Sequence, residues 1–329
     1  MAVDKTFHSI RTITGIDTDI QIDMMPTCVD GKAVNSILEN RCTRRCPFTM
    51  SMMTDLMTDY DSVALQYDAI GTDRLLMGCR PLHIYLDVLN WVLTVSCRFR
   101  LGPDFWAKQV PNKRGDEVKT ELKKVQIELE NETDGFVILG QIAKGQTGNT
   151  GNMARVFFSL KWSKKVAKVL KIPEKLHRGI CVMLEAMYAT YQLNIPPYKK
   201  IANEMHDEYR SFCPWWPMSP SFAVLLFIIP IYQKYLNDSY TEKLTIRDTS
   251  EEVGETDHHG IRLDEEGHSC RTSILAQNKS ILIGRFVKTD PKLKQYYKSI
   301  KPVHMSKISS DAAKLLHEVP AIQIIDEID

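Results

Sequence analysis

Long apolar runs are missing from this 329-residue chain. The longest, from Phe222 to Ile229, is closed by Pro230. It falls far short of the ~20 residues that a membrane-spanning helix needs. It therefore reads as a buried or an interfacial segment. A charge excess is missing too, since 42 Lys and Arg stand against 41 Asp and Glu, a formal net charge of +1. Any argument for a polyanionic partner must come from one region of the chain. The eight cysteines form no dense framework, and a chain of this length has no need of disulfide staples. They read as reduced thiols in a cytosolic or nuclear compartment. The opening MAVDKTFHSIRTITG has no apolar stretch, so no secretion leader is expected. Neither G-x-S-x-G nor H-E-x-x-H occurs, and no acid–base or nucleophile–base pair can be assembled from the sequence, so no enzyme is expected.

One glycine-rich stretch comes near a nucleotide signature. Gly140 to Thr147 reads GQIAKGQT, and Gln146 stands where a phosphate-binding loop places its lysine. The following GNTGNM is expected to start no helix, whereas a phosphate loop aims a helix N-terminus at the anion. The stretch reads instead as a glycine–asparagine connection between two strands.

What is present suggests a β-rich middle. Trp91, Leu93, Val95, Cys97 and Phe99 alternate with their neighbours across Asn90 to Arg100. Val125, Ile127 and Leu129 alternate with Gln126, Glu128 and Glu130. Phe136 to Leu139 forms a short apolar strand in this reading, and Arg155 to Trp162 a fourth. Gly179 to Leu193 fits strand or helix. No helical segment separates these stretches at α/β spacing, which predicts an antiparallel sheet. The expected fold class is mainly β with flanking helices (α+β), around an antiparallel jelly-roll-like core. The expected organisation is a mixed N-terminal extension over 1–75 and a β-rich core over 76–200. An apolar and aromatic segment follows over 201–237, an acidic mobile linker over 238–275, and a C-terminal segment over 276–329. The linker rests on composition, with 10 acids against 3 bases across 238–270. Shorter readings are a strand at Ile20–Ile22, a strand at Ser280–Val287, a helix near Asp311–Glu318, and core gap-filling by Met50, Met53 and Met57.

The chemistry-bearing signals are regional. Lys161, Lys164, Lys165, Lys168 and Lys171 recur at three- and four-residue steps, with Val166, Val169 and Leu170 between them. A helix starting near Ser163 would carry one basic and one apolar face. Residues 98–178 hold 17 Lys and Arg against 9 Asp and Glu, a local excess of +8. That face suits the phosphates of nucleic acid or anionic headgroups, while a plain solvated face fits the same pattern. With few aromatics interleaved, binding would follow the backbone and ignore base sequence. Trp215 and Trp216, with Phe222, Leu225 and Phe227 in the apolar run, are the membrane-interface candidates. A proline-framed core corner is the preferred reading of the tryptophans. His258, His259, His268 and Cys270 match no structural zinc spacing, and Cys42 and Cys46 lack a second pair, so no metal and no cofactor is expected. Arg114-Gly115-Asp116 reads as a charged turn.

Taken in order, PLHIYLDVLNWVLTVSCRFRLG, KKVQIELENETDGFVILGQIAKG and NMARVFFSLKW resemble the core of the thirty-kilodalton superfamily of plant-virus movement proteins, of the negative-strand-virus kind. The resemblance covers roughly residues 80–193. That family carries an acid after its second strand, and Glu130 and Asp134 stand nearby. The resemblance implies a jelly-roll core that binds single-stranded nucleic acid or a viral nucleocapsid. It also implies peripheral membrane contact, homo-oligomers, and genome transport between cells through plasmodesmata, in the host cytoplasm and at the cell periphery. The alternative reading is a viral matrix or structural protein that binds nucleocapsid and membrane, and the third is an enzyme whose site the sequence does not reveal.

Overall fold

The computed structural model describes residues 48–49, 54–75, 78–106, 115–140, 142–143, 146–241, 243–250 and 307–325. These residues are built mostly of helices. In chain order they are α1 (Tyr60–Asp68), α2 (Thr72–Leu75), α3 (Pro81–Leu101), α4 (Gly115–Glu132), α5 (Gly151–Phe157), α6 (Leu160–Leu170), α7 (Glu174–Met187), α8 (Ile195–Phe212), α9 (Pro220–Ala223), α10 (Ile229–Ser239) and α11 (Ser310–Ala313). Strand is confined, among the described residues, to two small pairs. β1 (Ile142–Ala143) runs antiparallel to β2 (Gln146–Thr147), and β3 (Ile308–Ser309) runs parallel to β4 (Ile324–Ile325).

The expected jelly-roll core is therefore overturned, and each of its four strands fails for a physical reason. Asn90 to Arg100 lies inside α3, which buries Trp91, Val92, Leu93, Val95, Ser96 and Cys97 together. A helix wrapped on most sides by other helices has no polar stripe, so its residues can alternate by accident. Its ends carry the true signal, with Pro81 in the first turn and Gly102 just past the last at φ 96°. The second expected strand lies in α4, where Glu121, Val125 and Leu129 are buried at four-residue spacing and Ile127 faces solvent. Phe136 and Val137 bend away from the turn that ends α4, and Phe136 to Leu139 pairs with no strand among the described residues. Arg155 to Trp162 straddles α5 and α6, and Gly179 to Met187 is helical.

α5 also corrects the reading of GNTGNM. Thr150 caps it, its Oγ1 accepting from the Met153 amide at 3.3 Å. The glycine-rich stretch before it is a tight hairpin formed by β1 and β2. Gly140 lies so close to Gly148 that a Cβ would fall 2.3 Å from its carbonyl carbon. The Gly140 amide donates to Asn149 Oδ1 (2.8 Å), and Gln126 Nε2 donates to the Gly140 carbonyl (3.0 Å).

α7 lies at the centre, buried on nearly every side, and packs on α6, α8 and α11. α3 forms the second axis, against α4, α5, α6 and α9. The run Phe222 to Ile229 is fully buried, with a π-helical turn over Val224–Ile228. Phe227 lies stacked 5.0 Å from Tyr60 and 5.0 Å from Tyr67. Pro230 has no amide to offer the preceding turn, and Tyr198 Oη donates to the Leu225 carbonyl instead, at 3.0 Å. A partly buried ion cluster ties α3 to α4 and α6. Arg100 meets Glu121 and Glu128 at 2.7 Å each and donates to the Val169 carbonyl.

Several expectations lie outside the described residues: Ile20–Ile22, Met50 and Met53, Ser280–Val287, Cys42 and Cys46, the histidines at 258, 259 and 268 with Cys270, and the acidic linker beyond residue 250. Met57 is partly buried against the core. The first residues of the linker are ordered into the fold, where Gln233 Nε2 donates to the Leu244 carbonyl (3.0 Å) and Ile246 is buried. Near Asp311–Glu318 the helix is only the single turn of α11.

Candidate nucleic-acid interface

The lysine stripe forms on α6. Trp162, Val166, Ala167, Val169 and Leu170 turn inward, while Lys161, Lys164, Lys165, Lys168 and Lys171 are all exposed. The helix begins at Leu160, three residues before the start that the spacing suggested. Lys171 ends it in a left-handed conformation, φ 56°. Part of the positive charge is met by the end of α4. Lys168 Nζ lies 3.1 Å from Glu132, and Lys165 Nζ lies 3.9 Å from Asp134. Both pairs are exposed and weak. Asp134 and Glu130 thus belong to a helix C-terminus and its turn. Asp134 has φ 54°, and the Glu130 carbonyl accepts from the Gly135 amide at 2.8 Å. Neither closes a strand, as the resemblance implied.

A second group of cations was not legible in the sequence. Arg155 from α5, Lys161 from α6, Arg247 and Lys307 line one cleft of about 430 Å³. Tyr85, Phe158 and Tyr188 supply its aromatic wall. The Arg155 guanidinium carbon lies 4.5 Å from the Tyr188 ring centroid and 5.9 Å from that of Tyr85. Arg247 lies 5.3 Å from the Tyr188 ring. Such contacts orient a guanidinium, and Arg155 Nη1 also donates to Asn152 Oδ1 at 3.2 Å. Glu185 is the one carboxylate in the wall among the described residues, and it is engaged: both the amide and the hydroxyl of Ser309 donate to it at 2.8 Å.

That clamp sets the C-terminal segment as the second wall. Ser309 also caps α11. Arg178 pairs with Asp311 at 2.7 Å, and hydrogen bonds from Lys314 and then Arg178 hold the Asp311 carboxyl below its ordinary range. The Asn194 amide donates to the Leu315 carbonyl (2.8 Å), and the His317 amide to that of Gln192 (2.9 Å). The cleft is thus assembled from five separated parts of the chain, joined at one point, Lys161, to the lysine face.

The membrane candidates are not brought to a surface together. Phe222, Leu225 and Phe227 are core residues, at most 2 % exposed. Trp215 and Trp216 are half-buried. Trp215 stacks on Trp106 at 5.2 Å, and Arg98 lies 4.5 Å from the Trp216 ring. Both rings are packed against the core while staying partly exposed. Among the described residues no helix is long and apolar enough to cross a membrane, and no cluster of three or more His, Cys, Asp or Glu could hold a metal.

One buried group has catalytic residue types. Ser163 Oγ and Cys181 Sγ lie 2.9 Å and 3.5 Å from His177 Nδ1. All three are sealed in the core. Burial pushes the His177 imidazole down to about 3 and drives the Cys181 thiol well up. The imidazole is neutral and the thiol protonated near neutral pH, out of reach of any substrate, so the trio holds α6 to α7. No family model matches the chain, and no curated protein is recognisably similar to it.

Proposed function

We propose that this protein binds single-stranded nucleic acid along its sugar–phosphate backbone and acts as a non-enzymatic structural protein that coats a viral genome. The observation that carries the reading is the convergence of Arg155, Lys161, Arg247 and Lys307 on one aromatic-walled cleft that runs into the lysine face of α6. Among the described residues, four cations beside one engaged carboxylate suit successive phosphates, and flexible or stacked cations serve backbone contact without reading base edges. Both viral roles suggested by the sequence were tied to a β-rich core that the helices overturn, so the structural reading rests on the cleft alone. The transport role was drawn from a β core whose strands are helices, and the cleft does not supply it separately.

The test is equilibrium binding of the full chain to single-stranded RNA across a salt series. Four phosphate contacts give a slope of about −3 in log affinity against log salt. The double variant Arg155→Glu/Arg247→Glu should lose most of the affinity. A flat salt response, or a double variant that binds like the parent, would remove the cleft as an interface. Flotation with anionic vesicles in the absence of any RNA binding would instead support a peripheral membrane role.

A further inference from the structure

We infer that Phe136 is a base-stacking platform, the point at which a single strand leaving the cleft lays one nucleobase flat on the protein. The inference rests on the single-strand reading above and adds a contact that backbone recognition alone does not need.

Phe136 is 61 % exposed, although its neighbours on either side are held in place. α4 ends at Glu132, and Asp134 (φ 54°) and Gly135 (φ 79°) turn the chain behind it. The Phe136 amide donates to the Thr133 carbonyl at 3.1 Å, and the Val137 amide donates to the Thr133 hydroxyl at 3.0 Å. Thr133 and Val137 are both buried. The backbone is therefore pinned so that Val137 and Leu139 enter the core while Phe136 and Ile138 face outward. One face of the Phe136 ring stacks on Trp162, with centroids 5.2 Å apart and planes 24° apart. With that face covered and the ring still mostly exposed, the exposure lies on the opposite face and the edge. A ring braced from behind loses little freedom when a second ring is laid on it.

The charge around the ring selects the occupant. Lys161 Nζ lies 5.6 Å from the Phe136 centroid and 4.9 Å from that of Trp162, and Lys165 Nζ lies 5.2 Å from Trp162. Lys164 and Lys168 follow on the same exposed face of α6. Asp134 and Glu132 offset Lys165 and Lys168 in part, and Lys161 remains common to the platform and the cleft. A partner that offers a flat apolar face and an anion at each repeat is a nucleotide strand. An acidic peptide offers the anion without the flat face, and a lipid surface offers no single ring to stack.

The test compares the full chain with its Phe136→Ala and Phe136→Tyr variants. Each binds a short oligouridylate and an abasic strand of equal length. Phe136→Ala should weaken the base-bearing strand roughly 5- to 150-fold, the range for losing one stacked base. It should leave abasic-strand affinity and salt slope unchanged, and Phe136→Tyr should restore the parent behaviour. A Phe136→Ala variant that binds both strands like the parent overturns the platform while single-strand binding stands. Equal weakening on both strands overturns it too, because the loss would not be a stacking loss. A parent that binds neither strand overturns single-strand binding itself, and the platform with it.

Discussion

Arg155 lies over the ring of Tyr188, its guanidinium carbon 4.5 Å from the centroid. α5 is short, and its cap at Thr150 sets where Arg155 emerges, while Tyr188 closes the last turn of α7. A planar cation held by a ring in this way is pre-aimed in a manner that a lysine cannot reproduce. Arg155→Lys is expected to keep the salt slope of RNA binding and to lose affinity severalfold. Arg155→Gln is expected to reduce the slope by about 0.7, one phosphate contact on a single strand. If neither variant changes affinity or slope in anisotropy titrations, Arg155 makes no contact with the RNA.

Acid should unfold the protein in two stages, beginning with His177. Its imidazole is pushed down to about 3 by burial, while the unfolded chain titrates near the ordinary histidine value of 6.5. The unfolded state therefore takes up the proton first. Stability is whole above about pH 6.5 and declines as pH falls toward 3, by up to about 1.4 kcal/mol per pH unit. His206 is buried, and its imidazole is also held down by burial, so it adds to the same trend. Urea midpoints of His177→Leu should be less sensitive to pH between about 6.5 and 5 than those of the parent. An unchanged pH dependence would show that the buried ring does not govern it.

The second acid stage belongs to Arg100. Its hydrogen bonds hold the Glu128 carboxyl below the ordinary range. For Glu121, burial acts upward, and the bonds and charges of Arg100 and Lys124 outweigh it. Both carboxyls have depressed values in the folded state. Their stabilising contribution is present above about pH 4.5 and is lost as pH falls through those values. Arg100→Met should cost about 3–5 kcal/mol at neutral pH, since Glu121 would remain buried with its main partner gone. Adding Glu121→Gln should recover part of that loss in denaturant titrations. Full additivity of the two changes would argue that the pair is not coupled.

How far the sequence could be read depends on which contacts are local. The α6 stripe repeats every three or four residues within eleven, so spacing alone gave its amphipathic faces. The cleft draws on residues as far apart as Tyr85 and Lys307, and no local pattern announces such a meeting. The fold class was misread for a narrower reason. The alternation of Asn90 to Arg100 is local, whereas Pro81 and Gly102 mark helix ends only when they are taken together as the brackets of a 21-residue segment. In α4 the four-residue step from Glu121 through Val125 to Leu129 includes an acid, so counting apolar residues passed over it. Glu121 is buried only because Arg100 arrives from another helix.

Gly179 poses a direct contest between two effects. It sits within α7, where alanine would normally improve helix stability by about 0.8–1 kcal/mol. A Cβ at this position would fall 1.9 Å from Met205 Sδ and 2.8 Å from its Cγ and Cε. Met205 is itself buried, so α8 crosses α7 at the one position that has no side chain. Overpacking of this kind costs about 1–3 kcal/mol, and a methionine can yield some of it by changing rotamer. Gly179→Ala should therefore be mildly destabilising despite its better helix propensity. Met205→Ala alone should cost about 2–5 kcal/mol through the cavity it opens. The double variant should be more stable than the sum of the two losses predicts, because the new methyl enters space the methionine has left. A double-mutant cycle by urea denaturation reads that coupling directly, and strict additivity would mean that the approach of Met205 is not what keeps a glycine at 179.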